Sequence, residues 1–77
     1  MDSIQMTFTV HAWKVVCQLR DRLYRDTFDR HIRSQHESIT LLQHCLMDAS
    51  MLCNVRGLTR IEPKDVYNAC CAHDIRL

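Results

Sequence analysis

The sequence predicts an all-α domain of three helices, arranged as short helix, loop, long central helix, loop, short helix. Three observations predict it. Apolar residues recur at spacings of three and four along most of the chain. A single Gly and a single Pro in 77 residues leave little punctuation for turns. Those two residues also stand where one helix should end and the next begin: Gly57 closes a long apolar-periodic stretch and Pro63 takes a first helical position.

Residues 1–8 read as a short irregular or weakly extended arm, with 9–77 as one domain. Thr9 is placed to cap a first helix running to about Leu23. Trp13, Val16 and Leu19, flanked by Val15 and Leu23, form its apolar side. Trp13 reads either as packing this helix on the central one or as a partner anchor. A short loop is expected within 24–29, with Asp26 or Thr27 as the next N-cap, although propensity alone would let the helix continue through it.

From about Phe28 to Arg56 the pattern is helical throughout. Ile32, Ile39, Leu42, Leu46, Ala49 and Cys53 form one stripe, and Leu41, Cys45, Leu52 and Val55 form a second beside it. Such a helix would extend about 40 Å at 1.5 Å per residue. Flanking helices of about three turns each would cover only half of that face, so a partner chain is expected across it; the rival reading is the core of a three-helix monomer. Ile32, Ile39, Leu42, Leu46, Ala49 and Cys53 are the expected dimer interface. The last helix runs from Pro63 to about His73, with Asp65 in its first turn beside the positive end of the helix dipole. Residues 74–77 are expected to fray.

Composition narrows the function classes. A 77-residue chain buries only about 60% of its unfolded surface and is marginal alone. The net charge is +1, so a nucleic-acid contact would rest on a few placed arginines and not on a diffuse field. No run of about 18 apolar residues is present to span a membrane, and the first ten residues lack the features of a signal peptide. Five Cys and five His invite a metal reading, but no C-x-x-C occurs and Cys17, Cys45, Cys53 and Cys70 lie on apolar stripes. Cys71 is the thiol expected to be exposed. No phosphate loop, nucleophile elbow or carboxylate pair points to catalysis. No cofactor, metal or small-molecule substrate is expected.

The segment Arg56-Gly57-Leu58-Thr59-Arg60-Ile61-Glu62-Pro63-Lys64-Asp65-Val66-Tyr67-Asn68-Ala69 carries a family resemblance. Asp65-Val66, Tyr67 and Ala69 look like the start of the last helix of the histone fold, and Asp48-Ala49 and Leu42 fall on like residues of its central helix. The layout resembles that fold over about residues 10–75, core histone four and the archaeal histones especially; Pro63-Lys64-Asp65 is similar to the matching turn of histone three. The resemblance implies a handshake dimer, homotypic or with another histone-fold chain. It also implies contact with double-stranded DNA, and a place in the nucleus or chromatin, or in a virion or cytoplasm for a viral or prokaryotic protein. By that resemblance Arg25, Arg56, Arg60 and Lys64 are the DNA-contacting residues, Arg25 as the first-loop arginine; the bland reading of all four is solvated side chains at helix ends. The chain departs from the pattern at Leu58 and Arg60. An intramolecular clamp on Asp65 would therefore come from Arg60 or from Arg56. The near-neutral charge and the short arm suit an alternative of a different class, a histone-fold interaction subunit of a transcription-factor or kinetochore-type assembly with little DNA binding of its own. A thiol- or zinc-containing helical regulator is the third rival.

Overall fold

A computed structural model describes residues 7–77; the expected arm at 1–8 lies outside the described residues except for Thr7 and Phe8. The chain is all-helical. Helix α1 spans Val10–Phe28, α2 Gln35–Val55 and α3 Pro63–Ala72, and each packs on the other two. Among the described residues no strand forms. A single parallel bridge joins Phe8 to Ile61, through Thr9 N–H to Ile61 O (3.0 Å) and Ile61 N–H to Thr7 O (2.8 Å).

The helix ends follow local chemistry. Thr9 caps α1, its hydroxyl accepting from Ala12 N–H at 3.1 Å. Ser34 caps α2 in a reciprocal box with Glu37. Pro63 opens α3, and Asp65 Oδ2 accepts from Glu62 N–H at 3.0 Å. Gly57, at φ 76°, ends α2: its N–H meets Asn54 O and Leu58 N–H meets Cys53 O, the Schellman pattern. Helix α3 closes in the same way, with Asp74 (φ 59°) in the position Gly usually fills.

Three expectations are corrected. Helix α1 does not stop at Leu23 but runs through 24–28, because nothing there breaks a helix and Leu23 and Asp26 are both buried. The break falls at 29–34, so Asp26 and Thr27 are not caps, Ile32 lies outside any helix, and α2 has 21 residues, about 32 Å at 1.5 Å per residue. With 19 residues α1 nearly matches it, so α2 outreaches only α3, which has 10. The tail is also docked: Ile75 is buried and its N–H donates to Cys70 O at 2.9 Å.

The core is Ala12, Val15, Val16, Leu19 and Leu23 from α1, Cys45, Ala49 and Cys53 from α2, Val66, Ala69 and Cys70 from α3, with Ile61 and Ile75. What α2 contributes is small. Its wholly buried apolar side chains are Cys and Ala, four residues apart, with Leu41, Leu42 and Leu46 half-buried against the core and Ile39, Met47, Met51 and Val55 outside. Trp13 is 53% exposed and packs edge-on against Phe8 rather than against α2.

Candidate functional site

Two surfaces carry the chemistry. The first is apolar. Leu23, Tyr24, Thr27 and Phe28 of α1 face Ser38, Ile39 and Leu42 of α2 across an open groove of about 170 Å³. Tyr24 and Phe28, one turn apart, bring their ring centroids to 4.7 Å. Under the groove the Thr27 and Ser38 hydroxyls bond each other, and Thr27 also donates to Leu23 O, which pins the two helices together. Tyr24, Phe28, Ile32 and Ile39 are 48–62% exposed. Farther along α2, Met47, Met51 and Val55 stand open to solvent as well.

The residues expected to form a dimer interface therefore divide. Ile32 and Ile39 are open to a partner, and Leu42 and Leu46 are half-buried against the core. Ala49 and Cys53 are corrected: both are wholly buried among this chain's own helices, where only a small side chain fits, and they present no surface to a second chain.

The basic residues also divide. Arg56 is open to solvent but its guanidinium is already paired. Its Nη1 donates to the buried Asp65 Oδ1 at 2.6 Å, and its Nη2 donates to Glu62, tying the end of α2 to the start of α3. These two carboxylates, Glu62 first, hold the Arg56 guanidinium above its ordinary pKa. The clamp on Asp65 is thus Arg56, and the expectation of Arg60 is corrected: Arg60 is exposed with Thr9, Leu58, Thr59 and Glu62 around a shallow hollow. Lys64 is exposed on α3. Arg25 is exposed on α1, not in a loop, beside a different hollow lined by Gln18, Asp21, Arg22 and Arg76. Within one chain Arg25 and Arg60 do not share a site.

A cluster that the sequence reading did not single out surrounds Asp26, which is buried. Arg33 Nη1 donates to Asp26 Oδ2 at 3.1 Å, and Arg22 Nε and Arg30 Nη1 lie 3.5 and 3.6 Å from Oδ1. Arg22 also donates to the Arg76 carbonyl at 2.7 Å, anchoring the tail to α1. The signal was present as Arg22, Asp26 and Arg30 at successive i+4 steps.

The thiols are free. Cys71 is exposed; Cys45, Cys53 and Cys70 are buried. Interaction with the Cys70 thiol, and then burial, pushes the Cys45 pKa far above the ordinary value, and the same interaction lowers that of Cys70. Burial likewise pushes the Cys53 thiol up. His73 Nε2 lies 2.7 Å from Asp48 Oδ2, joining the end of α3 to α2, and His44 stacks on His73 with centroids 6.3 Å apart. Among the described residues no three His, Cys, Asp or Glu side chains gather as a metal site, and no helix is long and apolar enough to cross a membrane.

No protein family, no curated protein and no solved structure matches the chain.

Proposed function

We propose that this chain is a subunit of histone-fold type that pairs with a second helical chain, homotypic or another histone-fold protein, and that the pair contacts double-stranded DNA in a chromatin or DNA-packaging role. One observation carries the pairing: the fully buried apolar residues of α2 are its small ones, while several of its large ones stay open to solvent. Ile39, Met47, Met51 and Val55 are each more than half exposed, and Tyr24 and Phe28 continue the patch onto α1. Burying one such side chain is worth about 1.5–3 kcal/mol, and exposed large apolar side chains gathered on one element, as here on α2, are a feature of interaction faces. The partner crosses Ile39 and Leu42 at the groove and continues along the outer face of α2. No catalysis is proposed.

The mass of the particle in solution, measured alone and with candidate histone-fold chains, tests this. The expected result is a two-chain particle that Ile39→Glu returns to one chain with its helicity intact. A well-folded monomer that takes up none of those chains overturns the proposal. A second reading, an interaction subunit that leaves DNA to its partners, is favoured by the engagement of Arg56 with Asp65 and Glu62, which withdraws one of four expected phosphate contacts. Duplex binding separates the two, since affinity carried by phosphate contacts falls steeply between about 50 and 200 mM salt.

A further inference from the structure

The five thiols are free, and two of them face each other in the core. Cys45 on α2 is 0% exposed and Cys70 on α3 is 1% exposed, and both belong to the apolar cluster that joins the three helices. Neighbouring contacts fix their register. His44 stacks on His73, and Asp48 Oδ2 lies 2.7 Å from His73 Nε2, so His73 sits over the turn of α2 that holds Cys45. Cys70 is one turn before His73 and so on the same side of α3. The two thiols interact directly, side chain to side chain. The remaining thiols are placed otherwise. Cys53 donates to Leu58 O at 3.4 Å, Cys17 is half-buried on α1, and Cys71 is exposed. Cys70 and Cys71, adjacent on a helix, point about 100° apart, which disfavours a bond between them.

The pair gives up its first proton readily and holds its second. Interaction with Cys45 keeps the Cys70 thiol below its ordinary pKa, while that of Cys45 stands far above. Cys70 therefore supplies thiolate, the nucleophilic form. It also lies in the last turn of α3, beside the buried Ile75, whose N–H donates to Cys70 O at 2.9 Å. Asp74 holds φ 59° in that closure, a conformation that Gly takes at less cost, so this end of the domain opens more easily than the core around it. Opening of the tail admits a small oxidant to Cys70 without unfolding the helices.

We propose that Cys45 and Cys70 are a reversible redox site, which hydrogen peroxide converts to a disulfide tying the middle of α2 to the last turn of α3. The Cys70 thiolate attacks one peroxide oxygen, the O–O bond breaks, and Cys70 becomes a sulfenic acid as hydroxide is released. The Cys45 sulfur then attacks the Cys70 sulfur; the S–O bond breaks, and the departing hydroxide leaves as water with the Cys45 proton. The two sulfurs give up two electrons and the peroxide takes them. Exchange with a dithiol reverses the bond. The site is independent of the pairing and of the DNA contact proposed above.

The full chain, reduced and freed of reductant, is treated with a small molar excess of hydrogen peroxide, then denatured and alkylated. The expected product is a single chain, lighter by two hydrogens before alkylation, in which two of the five thiols resist alkylation and the peptides bearing Cys45 and Cys70 are joined. Dithiothreitol should restore all five. The bond closes the chain from 45 to 70, so Tm should rise by about 10–20 °C. Cys71→Ser should oxidise as the wild type does, and Cys45→Ala should lose the product. Five alkylatable thiols after treatment overturn the inference. So does a product joined through Cys71, within one chain or between two, and so does one whose thiols carry oxygen with no bond between Cys45 and Cys70. Should Cys45→Ala fail to fold by circular dichroism, the joined peptides of the wild type decide.

Discussion

Asp65→Asn tests the joint between α2 and α3. The carboxylate is 1% exposed. It accepts two hydrogen bonds, from Arg56 Nη1 at 2.6 Å and from Glu62 N–H at 3.0 Å. Asparagine keeps the shape but offers one acceptor atom, so its amide N–H₂ must face either the guanidinium or the backbone N–H, both donors. One charge-assisted hydrogen bond is lost, worth about 1.5–3 kcal/mol, and a donor is left unpaired. Breaking a fully buried ion pair costs about 3–5 kcal/mol. Because water reaches the Arg56 side of this pair, the lower part of these ranges applies, and the expected loss is about 2–3 kcal/mol. A domain of this size has roughly 4–12 kcal/mol in total, so Tm should fall by about 10–20 °C. Urea unfolding at fixed protein concentration measures it. Asp21→Asn, which touches an exposed pair, is the control and should change stability by less than about 1 kcal/mol. A cycle with Arg56→Gln should show coupling, and one with Arg60→Gln should show none. If Asp65→Asn matches the Asp21→Asn control, or couples to Arg60, the clamp reasoning is refuted.

Three further outcomes are expected. Gly57→Ala should lose about 1–2 kcal/mol from backbone conformation alone, since φ is 76° and an added Cβ meets nothing within 4 Å; Gly57→Asn should lose less in the same urea titration. Ile75→Ala should cost about 2–5 kcal/mol if the tail belongs to the core, and amide exchange of Ile75, bonded to Cys70 O, should accelerate with it; a loss near zero would mean that the tail frays. Stability should also fall as pH rises above about 9, the ordinary thiol value. The Cys45 thiol, raised by its interaction with Cys70 and by burial, holds its proton in the folded chain while the unfolded chain releases it; Cys70, lowered by the same interaction, has lost its own proton in both states at such pH. The unfolded state then binds fewer protons, so the slope is negative, at most about 1.4 kcal/mol per pH unit. Thermal melts from neutral to alkaline pH measure this, and Cys45→Ala should flatten the profile.

Some elements were legible in the residues themselves. Thr9, Gly57, Pro63 and Asp65 act through hydrogen bonds to groups two to five positions away, or through their own φ, so each was readable locally. The Asp26 cluster was half legible: the i+4 ladder from Arg22 to Arg30 is local, but Arg33 joins it only because the loop turns back. Residues 24–28 suit a helix or a loop equally well by propensity, and burial of Leu23 and Asp26 chose the helix. Arg56 and Arg60 were equal candidates for Asp65 along the chain. Gly57 turns the strap so that Arg56 reaches the start of α3 and Arg60 points to solvent.

By itself the sequence determined an all-helical chain, three helices, the second strap and the helix ends at Thr9, Gly57 and Pro63, because each is a matter of spacing, dihedral preference and near-neighbour hydrogen bonds. Tertiary structure decided which residues of the two α2 stripes face inward. Both stripes are split: Ala49 and Cys53 of the first and Cys45 of the second are core, while Ile39 of the first and Val55 of the second stay outside. It also decided that Asp26 would be buried and that three arginines from two elements would meet on it. That result depends on charge desolvated by packing, a quantity that no local pattern of residues contains.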